Sequence, residues 1–199
     1  MGGEEYGHLD TVESYTEGSG WTEEPEMKLT NKKSGHCSVA FNDNLVVIGG
    51  DNGYPLITSE VLSFNVANMS GGWTTMPSLN TARENHACDT GNYEGQNGIF
   101  VTGGWYHGGD DGLVRLSSVE FYVAQEQRWI VLESLTTERY FHSLSIVSGI
   151  PYAAGGNGDI SSVERLDGTT WEEAGSMKGR RYRHASVDIP AGVVTCKME

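Results

Sequence analysis

A glycine doublet recurs four times along the 199-residue chain, at Gly2 and Gly3, Gly49 and Gly50, Gly103 and Gly104, and Gly155 and Gly156. The first opens the chain. Each of the others ends a run rich in β-branched residues or alanine, as in VVIGGDNGY at 46–54 and IFVTGGWY at 99–106. The interval is roughly 50 residues, long enough for one supersecondary unit and too short for a self-sufficient core. Units of that size bury their apolar faces against one another. The chain is therefore restricted to folds that stack or circulate a repeated element.

Other residues keep step with the doublets. After each comes a β-branched, acidic segment: TVESY at 11–15, TSEVLSF at 58–64, SSVEFY at 117–122 and SSVERL at 161–166. These hold Glu13, Glu60, Glu120 and Glu164. One tryptophan follows in each unit, Trp21, Trp73, Trp129 or Trp171, and only Trp105 is out of phase. Next comes a basic residue three positions ahead of a histidine: Lys33 and His36, Arg83 and His86, Arg139 and His142, Arg181 and His184. The histidine opens another alternating segment. Alternation, β-branched content and turn residues spaced by ~8–12 positions predict four short strands per unit. No segment shows a capped helical period.

Four-stranded units of ~50 residues have the size of a propeller blade. The doublets, the spaced tryptophans and the Arg-to-His spacing together resemble the kelch repeat over nearly the whole chain. The resemblance implies an all-β fold, a β-propeller of four kelch-type blades forming a single domain over 1–199. Residues 1–33 would supply the third and fourth strands of one blade. Residues 34–83, 84–139 and 140–181 would each form a blade, and 182–199 the first and second strands that complete the first. A closed four-blade ring and an arc of a larger propeller both satisfy this phase. The glycines would lie where neighbouring blades crowd, and each phased tryptophan would pack one ring between adjacent blades. Histidines that occur once per unit, with no second ligand close in sequence, read as repeat positions rather than metal ligands.

The formal net charge of −14 argues against a nucleic-acid or anionic-membrane binder. No apolar run nears the ~18 residues of a membrane span, and the first residues show no basic-then-apolar leader pattern. Cys37, Cys88 and Cys196 do not make a disulfide framework, so free thiols in a cytoplasmic protein are expected. One sequon, Asn68-Met69-Ser70, keeps a secreted origin open.

For function, the resemblance implies a non-catalytic protein-interaction module or scaffold. Substrate recognition for ubiquitin ligases and cytoskeletal binding are the roles the family suggests. No cofactor and no metal is expected. In such folds loops carry recognition and strands carry the frame. Two loop classes stand out, those after the doublets and those joining one unit to the next. The first class offers Asn52 and Asn157, and a long glycine-rich insertion with Trp105, Tyr106, His107, Asp110 and Asp111. That insertion reads either as a mobile loop presenting aromatics or as a solvated segment folded back on its sheet. The joining loops offer Asn85, Arg139, Lys178, Arg180 and Arg183. Basic residues gathered in one loop class of an acidic chain suit an acidic or phosphorylated peptide; the phased Arg83, Arg139 and Arg181 read equally as repeat positions bonding the next blade, which leaves Lys178, Arg180 and Arg183 as the distinctive cluster. The family's alternative is a copper-dependent oxidase or another propeller enzyme. Its Tyr, Cys and His set is not assembled convincingly from Cys37, Cys88 or Cys196, and no Gly-x-Ser-x-Gly, Cys-x-x-Cys or His-Glu-x-x-His occurs.

Overall fold

The computed structural model describes residue 3 and residues 7–53, 56–108, 112–158 and 160–188. Two single-turn 3-10 segments, Pro25–Met27 and Met69–Gly71, are the helical residues among them. Everything else that is regular is β. A short hairpin comes first, β1 (Glu13–Thr16) with β2 (Gly20–Glu23). An antiparallel sheet follows, β3 (Cys37–Phe41), β4 (Asn44–Ile48), β5 (Val61–Asn65) and β6 (Trp73–Met76), side by side in chain order. The next unit lays down β7 (Ala87–Tyr93) and β8 (Gln96–Thr102). It then leaves for a small hairpin, β9 (Trp105–His107) and β10 (Leu113–Arg115), and returns as β11 (Val119–Val123) and β12 (Arg128–Leu132). The last sheet is β13 (Ser143–Val147), β14 (Ile150–Ala154), β15 (Ser162–Asp167) and β16 (Thr170–Ser176), again in chain order.

The first two strands of each sheet are joined by a two-residue turn with positive φ at both positions. Asn42 and Asp43 have φ of 47° and 59°, Glu94 and Gly95 of 49° and 79°, Ser148 and Gly149 of 52° and 83°. Such mirror-image turns match the twist of the strands they connect.

The core lies between sheets. Val119, Phe121 and Val123 of β11 pack with Leu144, Leu166 and Trp171 of the following unit. Tyr122, on the other face of the same strand, joins Val46, Ile48 and Val61 of the preceding unit. A sheet covered on both faces explains why Ile99–Val101 reads as a continuous apolar run rather than an alternation.

Three of the four phased tryptophans pack against a neighbouring unit. Trp129, 7% exposed, donates its indole N–H to Pro77 O of the preceding unit at 2.8 Å, and Trp73 does the same to Met27 O at 2.9 Å. Trp171 is buried as well. Replacing Trp129 with alanine should cost ~3–5 kcal/mol in denaturant unfolding, as buried aromatic truncations do; an unchanged midpoint would mean that the ring does not hold the two units together. Trp21 departs from the expectation, being 71% exposed. Its ring meets Tyr15 at 5.5 Å, but no described sheet precedes the β1–β2 hairpin to supply the carbonyl and apolar face that Trp73 and Trp129 use.

The first strands, β3, β7 and β13, stand next to one another around a common cavity of about 620 Å³, whose wall continues through Ser186, Val187 and Asp188. Three links cross from unit to unit there. Asp89 Oδ2 accepts the Ile146 amide at 2.9 Å, Ser145 and Ser186 hydroxyls meet at 2.5 Å, and Cys37 is disulfide-bonded to Cys88. The bond corrects the expectation of free thiols. Cys37 and Cys88 are 51 positions apart in sequence, yet the facing of β3 and β7 brings their Cα atoms to 6.0 Å. With those thiols gone, the cytoplasmic reading loses its support. No helix among the described residues is long and apolar enough to cross a membrane. Residues 184–188 run without strand pairing. The remainder of the expected C-terminal strands, 189–199 with Cys196, lies outside the described residues, as do Gly2, Asp110 and Asp111.

Candidate functional site

The doublets set the geometry of one end of the sheets. Gly49 has φ +59°, and a Cβ there would stand 2.6 Å from Arg83 O and 2.9 Å from His86 Cε1. At Gly50, φ +92°, it would stand 2.6 Å from Ser34 O and 2.9 Å from His36 Cβ. The chain thus slips between the joining loops on either side, where only hydrogen fits. The second glycine of each doublet donates to the carbonyl of the phased basic residue: Gly3 to Lys33 at 2.9 Å, Gly50 to Arg83 at 2.9 Å, Gly104 to Arg139 at 2.7 Å and Gly156 to Arg181 at 2.8 Å.

The basic residues themselves belong to this frame. Arg139 is fully buried, and all of its donors are used: Nη1 to Gly155 O at 2.7 Å and Ser162 O at 3.0 Å, Nη2 to Ser162 Oγ and Glu164 Oε1, Nε to Glu164 Oε1. Glu164 also accepts the Thr136 amide at 2.6 Å. Arg83 repeats the pattern with Gly103 O, Ser118 and Glu120 one unit earlier. Lys33 reaches Glu60 at 3.4 Å and Asn52 Oδ1 at 2.6 Å. This corrects the placement of Arg139 among partner-binding residues, since a guanidinium with every N–H satisfied inside the protein has nothing left to offer a ligand. Arg181 and Glu13 occupy the matching positions at the two ends of the described chain, and both are exposed.

One step before each phased histidine the backbone turns left-handed. Gly35, Asn85, Phe141 and Arg183 have φ between 54° and 60°. Their main chains are joined in series: Asn85 N donates to Gly35 O at 2.7 Å, Phe141 N to Asn85 O at 2.9 Å and Arg183 N to Phe141 O at 2.8 Å. The four residues, with the four histidines, surround a cavity of about 210 Å³. Above it opens a space of about 460 Å³, lined by Asn85, Phe141 and Arg183 with Trp105, His107, Glu84, Asp51, Ser34 and glycine backbone. The Arg183 guanidinium carbon stands 4.4 Å over the Phe141 ring centre. Trp105 lies edge-on to His107 at 5.0 Å, and its indole N–H has no hydrogen-bond partner among the described residues. Asp51 in the same wall takes the Gly53 amide at 2.8 Å and stands 3.2 Å from His8 Nε2.

Burial disfavours the charged form of two imidazoles beneath, His142 and His86. Burial pushes the His142 pKa down to about 3, and the Arg139 guanidinium adds to it. His86 is likewise lowered well below its ordinary value by burial and then by Arg83. His142 Nε2 pairs with Thr102 Oγ1 at 2.8 Å. Among the described residues no cluster of three or more His, Cys, Asp or Glu side chains is arranged to hold a metal ion.

Of the residues expected to meet a partner, the structure brings Asn85, Trp105, His107 and Arg183 to one cavity. Tyr106 is half-buried in β9, outside that wall. Among the described residues of the insertion, 105–107 and 113–115 pair as a hairpin and Trp105 bridges Glu84. Asn52 and Asn157 spend their side chains internally, Asn52 on Lys33 and Asn157 on the Tyr140 hydroxyl at 2.6 Å. Lys178 and Arg180 are exposed and lie outside the cavity wall. Phe141 and Glu84 were not foreseen. The signal that would have found Phe141 is its place immediately before a phased histidine, shared with Asn85 and Arg183. No protein-family model and no curated protein matches the sequence.

Proposed function

We propose that the chain is a kelch-type propeller module that works without catalysis and holds a segment of a partner protein over the 460 Å³ cavity. The observation that carries this reading is Arg183, an exposed guanidinium in the wall of that space and stacked on Phe141. A carboxylate or phosphate complements it. Stacking narrows the rotamers of Arg183 before the ligand arrives, which reduces the entropy lost on binding. Asp51 and Glu84 in the same wall disfavour further negative groups, so the cavity suits a single acidic or phosphorylated side chain rather than an acidic run.

The test is fluorescence polarisation against matched peptides that differ only in one central glutamate, phosphoserine or serine. The acidic and phosphorylated forms should bind more tightly. Arg183→Glu should weaken that binding at least ~tenfold, about 1.4 kcal/mol, while leaving the melting temperature in place. Arg128→Glu, an exposed control on β12, should change nothing. Equal binding by the Arg183 variant, or no preference among the peptides, would remove the cavity from consideration.

A further inference from the structure

We infer that Asn68 is the acceptor of an N-linked glycan and that the chain matures in an oxidising secretory compartment. Two separate observations meet here. The first is local. Asn68 and Ser70 are exposed on the turn that joins β5 to β6, and Ser70 Oγ donates to Asn68 Oδ1 at 3.0 Å. The asparagine and the hydroxyl two residues later, the pair that defines an acceptor sequon, are thus presented together on the surface. The turn is self-contained. Asn65 Oδ1 accepts the amides of Ala67 and Asn68, at 2.9 Å and 3.1 Å, and Gly71 N donates to Asn68 O at 3.0 Å. Asn68 Nδ2 makes no hydrogen bond among the described residues, so a sugar on it displaces nothing. The second observation is the Cys37–Cys88 disulfide, which forms and persists in the compartments where glycans are added.

The step balances simply. Asn68 Nδ2 attacks the anomeric carbon of a lipid-pyrophosphate-linked oligosaccharide. A C–N bond forms, the C–O bond to the pyrophosphate breaks, the lipid pyrophosphate leaves, and one amide proton passes to a base of the transferase. Topology keeps the product clear of the candidate site. In an antiparallel sheet the turn between third and fourth strands lies at the same end as the turn between first and second, opposite the doublets and the joining loops. The inference therefore stands or falls independently of the cavity.

Trypsin reports both observations in one species. No Lys or Arg lies between 34 and 82, or between 84 and 114, so the unreduced protein yields peptides 34–83 and 84–115 joined through Cys37 and Cys88. In the full chain recovered from the cells that make it, this pair should carry a hexosamine-containing mass on Asn68. Peptide N-glycosidase in heavy-oxygen water should convert that asparagine to labelled aspartate. On secretory expression behind a cleavable leader, Asn68→Gln and Ser70→Ala should each abolish the modification, and Ser70→Thr should retain it. Peptide 34–83 recovered with unmodified Asn68 from the native source would overturn the inference, and so would reduced Cys37 and Cys88 in the same sample.

Discussion

Replacing Glu164 with leucine should lower the unfolding free energy by about 3–5 kcal/mol, because it strands the buried Arg139 guanidinium without its counter-charge. The carboxylate also holds the Thr136 and Thr137 amides, so its loss loosens the joining loop as well as the pair. The companion variant Arg139→Met with Glu164→Leu should be markedly less damaged than the sum of the two single changes, since no charge is then left in the interior. Urea unfolding of the four proteins measures this directly. Additive losses would show that the two side chains act through separate contacts, contrary to their 2.8 Å separation.

Acid should unfold this protein early. The His142 and His86 imidazoles are neutral in the folded state because burial and an adjacent guanidinium disfavour the cation. In the unfolded chain they protonate near the ordinary histidine value of ~6.5. Below that pH the unfolded state takes up protons that the native state refuses, so stability falls as pH drops, and for His142 it goes on falling until about pH 3. His142 alone removes roughly 1.4 kcal/mol per pH unit within its window, or ~1.5–2 kcal/mol between pH 6.5 and 5, where carboxylates are still ionised, and His86 acts in the same direction. Unfolding free energies at pH 7.5, 6 and 5 would reveal the slope. His142→Gln should make it shallower, whereas a profile already flat in the parent protein would mean that the rings accept protons in place.

Much of this frame is legible in the sequence because repetition exposes it. The SVE of 118–120 and 162–164, the cation three residues before the histidine and the glycine pair recur together, and the structure joins them into one bonding pattern. Recurrence alone did not say that the arginine of one joining loop meets the glutamate of the unit that follows, so Arg139 looked available when it is fully engaged. What failed to recur was harder to read. Cys37 follows its histidine by one position and Cys88 by two, so the repeat does not align them, and only the facing of β3 and β7 brings them together. Among the described residues the β9–β10 hairpin is matched one unit earlier only by the single Asp51–Ile57 bridge, so the repeat gave little sign of its pairing. Trp21 shares its phase with Trp73 and Trp129, but a phase specifies the residue, not the neighbour that must cover it.

The seam through Gly35, Asn85, Phe141 and Arg183 is sewn by peptide groups alone. Its stitches are indifferent to which letter stands at each hole, provided the residue tolerates a left-handed backbone. A glycine and three unrelated side chains already occupy the four holes, and all four residues border the same space. Evolution, or an engineer, can therefore retype the positions of Asn85, Phe141 and Arg183 to choose a new partner while the fabric that carries them stays unchanged, whereas a Cβ at Gly35 would press on Glu84 at 2.8 Å.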